Sequence, residues 1–145
     1  MKIVIQKPQV GEEEQIIVKC HDMSPELLNM LNAIRAQNSL LTAYVDNDIH
    51  RVNSADIFYI EAVDGKVFLY GQDEVYESRQ KLYELEEVLA DGDFLRASKS
   101  FIINLRKVKS LAPSLYGRLE AVLANGEKVV ISRHYVNTLK KHFGA

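Results

Sequence analysis

From Leu40 onward the chain is a succession of short runs rich in β-branched and aromatic residues, each closed by a turn signal within a few positions. That rhythm most constrains the fold, because no such run is long enough for a packed helix, whereas adjacent runs are well placed to pair as antiparallel strands. Leu41 to Val45 and Ile49 to Asn53 flank Asp46-Asn47-Asp48. Ile57 to Ala62 and Val67 to Tyr70 flank Asp64-Gly65-Lys66, where Gly65 can supply a positive φ. Glu74-Val75-Tyr76 predicts a further short strand, as do Phe94 to Ser98, Lys107 to Leu111, Arg118 to Leu123 and Glu127 to Ile131. Asn125-Gly126 is a hairpin signal between the last two.

Helical spacing appears in three places. Ser24 and Pro25 suit the start of a helix in which Leu27, Leu28, Leu31 and Ile34 share a face. Ser78 is expected to open a second, with Leu82, Leu85, Val88 and Leu89 on one side and Asp91-Gly92-Asp93 as its stop. Ser132 is expected to cap a short last helix carrying Val136 and Leu139. Ahead of these, Lys2 to Gln6 and Gln15 to Cys20 read as strands bounded by Pro8, Gly11 and Glu12-Glu13-Glu14. The expectation is a β-rich α+β fold: residues 40–145 form the main domain, and residues 1–39 form a small α/β region suited to self-association or regulation.

A chain of 145 residues, 47% hydrophobic and 26% charged, can bury one ordinary core or one core with a subdomain packed on it. Its apolar runs fall far short of the roughly 20 residues that cross a bilayer, and the N-terminus lacks the pattern of a secretory signal. A cytoplasmic location is therefore expected. The single cysteine, Cys20, reads as a small buried strand residue.

The net charge of −2 is unevenly spread. Phe94 to Ala145 holds ten basic and two acidic side chains, a net of +8, which leaves −10 for Met1 to Asp93. A positive field concentrated at one end is what a phosphate-backbone binder presents. Chemistry of other kinds finds little support. His21, His50, His134 and His142 show no metal-ligand spacing with Cys20 or one another, and neither a glycine-rich phosphate loop nor a nucleophile elbow is present. Neither enzymatic activity nor a cofactor is expected.

One constellation is specific. Phe94-Leu95-Arg96-Ala97-Ser98-Lys99-Ser100-Phe101-Ile102-Ile103-Asn104 joins a basic, hydroxyl-rich turn to an apolar anchor. Asn125-Gly126 and the run Ser132-Arg133-His134-Tyr135 follow it, and Asp56 to Ala62 forms a hydrophobic strand carrying Glu61 upstream. Together these resemble the signature of the LytTR family of bacterial DNA-binding domains over about Leu40 to Phe143. The resemblance implies an elongated fold of small antiparallel sheets that reads successive major grooves of double-stranded DNA with inter-strand loops instead of a recognition helix. By motif position it assigns base reading to Lys99 and His134, with Lys66 near a third contact loop, and phosphate contacts to Ser100, Arg133, Lys107 and Lys140. Asn104 is implied to be structural, holding backbone in the turn behind the contact loop. Many members carry a longer cation where this chain has His134, so binding is expected to strengthen in mild acid, where an imidazole gains charge.

The resemblance also implies two copies on imperfect promoter repeats, as a homodimer or as paired copies on DNA; the Ser24 to Ala36 helix, which the DNA-binding part does not require, is the expected self-association surface. Members often follow a receiver domain; about 40 residues before the LytTR-like part are too few for one, so Asp46 is expected to be a turn residue and not a phosphoacceptor. Stand-alone proteins of this type resemble regulators held by a small membrane-bound inhibitor, for which the acidic N-terminal region is the expected docking surface. The competing reading is a protein-interaction module of the same fold that binds a regulatory partner protein and not DNA.

Overall fold

The computed structural model describes residues 2–37, 39–90 and 92–144. Among the described residues, ten strands form two antiparallel sheets, with three short α-helices. The first sheet contains β1 (Leu40–Val45), β2 (Asp48–Asn53), β3 (Tyr59–Val63), β4 (Lys66–Tyr70), β5 (Val75–Ser78), β6 (Phe94–Ser98) and β7 (Phe101–Asn104), in the order β2-β1-β5-β4-β3-β7-β6. The second contains β8 (Val108–Pro113), β9 (Leu119–Leu123) and β10 (Lys128–Ile131), with β9 central. The helices are α1 (Pro25–Gln37), α2 (Leu82–Val88) and α3 (Val136–Phe143).

Strand alternation sends side chains of the large sheet to two separate cores. Ile60, Leu69 and Ile102 meet Leu41, Val52, Leu82, Leu85 and Leu89 on one face. Phe58, Ala97 and Ile103 meet Leu119, Ala121, Leu123, Ile131, Val136 and Leu139 on the other. The large sheet is thus the middle layer, with α2 on one side and the small sheet with α3 on the other. β7 is the strand that the sequence hides. Its run Phe-Ile-Ile-Asn buries Ile102 on one face and Ile103 on the other, so it shows no alternation of apolar and polar residues.

The turn signals act much as their chemistry dictates. Asp64 and Gly65 both adopt positive φ, 52° and 79°, and close β3 onto β4 in the two-residue loop whose twist suits a hairpin. Asp46 (φ 54°) begins the loop between β1 and β2 and is a turn residue, as expected. Between β9 and β10 the loop is three residues, Ala124 to Gly126: Gly126 N donates to Leu123 O at 2.9 Å and Leu123 N to Glu127 O at 2.8 Å, with Gly126 at φ 89°.

Several local expectations need correction. Neither Lys2 to Gln6 nor Gln15 to Cys20 forms a strand; Ile3, Ile5, Ile16 and Ile17 are all exposed, and so is Cys20. β propensity yields a strand only where a neighbour offers matching backbone groups, and these segments have none. The second helix starts not at Ser78, which ends β5, but at Leu82, where Glu84 accepts a hydrogen bond from Lys81 N at 3.1 Å. Leu82, Leu85 and Leu89 are buried on its face, whereas Val88 is exposed. Asp91, in the expected stop, lies outside the described residues. Ser132 precedes α3 through a 3₁₀ turn at Arg133–Tyr135, and its carbonyl, not its hydroxyl, accepts from Tyr135 N at 2.9 Å. The first helix starts where its signals place it, with Ser24 Oγ accepting from Leu27 N at 3.2 Å, but of its expected apolar face Leu27, Leu31 and Ile34 are only half-buried and Leu28 is exposed.

Candidate nucleic-acid interface

Backbone hydrogen bonds gather three chain reversals at one end of the molecule. Ala62 N donates to Ser100 O at 2.8 Å, so the pairing of β3 with β7 continues to the tip, where the β3–β4 loop lies beside the Lys99-Ser100 turn joining β6 to β7. Ser132 N donates to Ala97 O at 2.8 Å and fastens the segment after β10 to β6. Lys99 and His134 each lie two residues along the chain from that bond. Lys66 sits at the base of the β3–β4 loop, opposite Val63.

The Lys99 turn is held from behind. Arg96, on the α2 side of β6, donates through Nε to Glu86 Oε2 at 2.9 Å and through Nη1 to the carbonyl of Lys99. Its charge is committed within the protein, which makes it a positioning residue for the turn. Ser98 Oγ adds a long contact, 3.4 Å, from Ser100 N. Lys99, Ser100, Lys66, Arg133 and His134 are exposed, and among the described residues none of the three cations is in an ion pair. An unpaired exposed cation keeps its full attraction for a phosphate. The His134 ring meets Tyr135 edge-on, 5.0 Å between centroids at 87°.

Lys107 and Lys140 are placed differently. Lys107 lies beyond the opposite end of β7, half-buried, with its ammonium 5.0 Å from the Phe58 ring centroid and its carbonyl accepting from Ala124 N at 2.7 Å. Lys140 is exposed in the last turn of α3, whose inner side is fixed by Val136 and Leu139.

Asn104 is buried at 2% exposure, with Nδ2 donating to Ile57 O at 2.8 Å and Oδ1 accepting from Arg106 N at 3.1 Å. It bridges β7 to the approach to β3 and caps the 3₁₀ turn at Leu105–Lys107, the structural role that its motif position implies. Under the tip, Tyr59 stacks between Tyr70 (4.4 Å) and Phe101 (4.8 Å). Burial, then a hydrogen bond to Glu127 and the charge of that carboxylate, hold the Tyr59 phenol well above the usual tyrosine range; burial and Glu61 raise Tyr70 as well. Glu127 belongs to the small sheet's hairpin, so its charge acts on Tyr59 from the second sheet.

One exposed element at this end carried no sequence signal. In the small sheet Ile131, Leu119 and Pro113 stand in register, so the β8–β9 loop emerges beside Ser132 and Arg133. A Cβ built on Gly117 would lie 3.1 Å from Arg133 Cδ. The loop has no charge run or glycine-rich pattern, and only the register of three strands places it there.

Comparison with known proteins agrees with this fold. The family model described as LytTr DNA-binding domain matches residues 47–144. The sensory transduction protein LytT of Bacillus anthracis is 32% identical over 74% of this chain and 44% of its own length. A Staphylococcus aureus protein named as an uncharacterized HTH-type transcriptional regulator is 26% identical over 85% of this chain and 82% of its own. Among solved structures, the LytTr DNA-binding domain of a Bacillus cereus protein described as a methyl-accepting/DNA response regulator superposes with a TM-score of 0.70 at 26% identity, covering 74% of this chain and 99% of that one. The chain spans about half or less of the LytT proteins it matches. With most of its length matched by the family model and its strands and motif in the corresponding fold, the chain belongs to the LytTr DNA-binding domain family.

Proposed function

We propose that this protein is a sequence-specific transcription regulator that reads double-stranded DNA with the loops gathered at the Lys99 end. The observation that carries the reading is the convergence of Lys66, Lys99, Ser100, Arg133 and His134 on one exposed end, joined by the Ala62–Ser100 and Ala97–Ser132 hydrogen bonds. Lys99 and His134, on adjoining loops, are suited to base edges in the major groove; Ser100, Arg133 and Lys66 are suited to the flanking phosphates. In this reading the loops are the reading head, and α3, whose Val136 and Leu139 pack into the core, supports them from behind. Lys140 extends the phosphate track along α3. Lys107, spent on Phe58 and on the far side of β7, reaches only DNA that bends around that end.

Asp46 lies in the β1–β2 hairpin loop and has no part in the proposed site. Two copies on paired promoter repeats fit the family pattern. The N-terminal residues, with exposed Ile3, Ile5, Ile16 and Ile17, are where a homodimer partner or a membrane-bound inhibitor would dock. No helix among the described residues is long and apolar enough to cross a membrane, which suits a regulator working in the cytoplasm on DNA.

The test is binding to a labelled duplex pool by fluorescence anisotropy over a salt series. Affinity is expected to fall by about 0.9 log unit per tenfold salt for each phosphate neutralised. Lys99→Ala and His134→Ala should lose preference for the enriched sequence, and saturation should come at two chains per paired site. A wild-type protein that stays unbound at low salt would overturn the proposal in favour of a protein-interaction module of the same fold.

A further inference from the structure

The β8–β9 loop combines three features that ordinary connections lack. Tyr116 adopts φ 61°, ψ 34°, the left-handed region that a bulky side chain enters only under strain. Its side chain gains nothing from the core in exchange: Tyr116 is 80% exposed and Leu115 73%. The loop is also closed firmly around this conformation, since Ser114 N donates to Arg118 O at 2.9 Å and Gly117 follows at φ 74° with Arg133 Cδ 3.1 Å from where a Cβ would lie. A strained, exposed aromatic residue on a fixed turn is a side chain presented to something outside the fold.

Register says what it faces. Pro113 and Leu119 align with Ile131, so the loop leaves the small sheet at the end from which Ser132, Arg133 and His134 emerge, and its Gly117 touches Arg133 directly. Arg118, exposed and without an ion pair among the described residues, completes the loop. The charge here is positive, which suits a polyanion better than an apolar protein surface. We infer that the β8–β9 loop is a further DNA-contact element, with Tyr116 placing its ring against the sugar edge and its hydroxyl on a phosphate of the strand that Arg133 holds. This rests on the DNA-binding reading. It adds a contact loop that contributes affinity through a neutral side chain, which the charge pattern of the sequence does not reveal.

The experiment compares wild type, Tyr116→Gly and Tyr116→Asn on the duplex enriched by wild-type protein. Glycine and asparagine both accept the left-handed backbone, so the melting temperature should hold or rise. Affinity should nevertheless fall roughly tenfold, the scale of one lost hydrogen bond with its packing. Because tyrosine is uncharged, the salt slope should stay at the wild-type value, whereas Arg133→Ala should lower it by about 0.9. Hydroxyl-radical footprints of both Tyr116 variants should lose protection at one edge of the site. Unchanged affinity in both variants, with wild type bound, would overturn this inference and leave the main reading intact; absence of wild-type binding would remove the main reading itself. Loss of affinity with an undiminished footprint would also overturn it.

Discussion

Replacing Asn104 with alanine should cost more stability than its size suggests. The side chain is nearly sealed from solvent and serves two backbone groups: the carbonyl of fully buried Ile57 at 2.8 Å and the Arg106 amide at 3.1 Å. Alanine leaves the Ile57 carbonyl without this partner where water does not reach, a loss of about 1–3 kcal/mol. The Arg106 amide is nearer solvent, so its lost cap costs about 1 kcal/mol. Together that is roughly 2–4 kcal/mol, a large part of the 5–15 kcal/mol that keeps a domain folded. Two other asparagines calibrate the figure. Asn53 makes one half-buried bond of the same kind, to Ala55 N at 3.0 Å, and Asn125 makes one on an exposed turn, to Glu127 N at 3.0 Å. Alanine there should cost about 1 kcal/mol and less than about 1 kcal/mol respectively. The assay is urea unfolding followed by circular dichroism, since the chain contains no tryptophan. With a slope of about 1–3 kcal/mol per molar urea, Asn104→Ala should lower the midpoint by about 0.7–4 M. A cost no greater than that of Asn53→Ala would refute the reasoning. Asn104→Asp sharpens it: the carboxylate keeps the bond to Arg106 but turns an acceptor toward the Ile57 carbonyl, so this variant should be less stable at pH 7 than in acid, where a protonated carboxyl can donate again.

Two further predictions use the same contacts. The Tyr59 phenol is held above its unfolded value, so its contribution to stability is intact below about pH 10 and is lost as pH rises further, because the unfolded chain ionises first. Absorbance at 295 nm should show one tyrosine titrating after the others, and Tyr59→Phe should make the alkaline decline in stability shallower; an unchanged decline would refute the linkage of Tyr59 ionisation to unfolding. Gly117→Ala and Gly126→Ala each force alanine to a positive φ, 74° and 89°, and each should lower stability by about 1 kcal/mol. Only Gly117→Ala meets Arg133, so only it should weaken DNA binding, which paired melting and anisotropy measurements would reveal.

The sequence by itself determined the punctuation and the motif. Asp64-Gly65 and Asn125-Gly126 mark reversals because their backbones reach positive φ at little cost, a property carried by the residues themselves. The same is true of Ser24 at the start of α1. The Phe94 to Asn104 pattern singled out the Lys99-Ser100 turn proposed to contact DNA, and Asn104 could be read as structural from its place in that pattern. Tertiary structure decided whatever depended on a partner distant in the chain. Lys2 to Gln6 has the composition of a strand and no ladder to join, whereas Phe101 to Asn104 lacks alternation and becomes a paired strand because both its faces are covered. Lys99 and Lys107 look equivalent as charges. Arg96 and the Ala97–Ser132 bond set the first among the loops gathered at one end, and Phe58 holds the second on the far side of β7. Tyr116 carried no signal, since its position beside Arg133 follows from the register of Pro113, Leu119 and Ile131. Local chemistry fixes what each residue can do, but hydrogen-bond register across the sheets fixes which residues do it together.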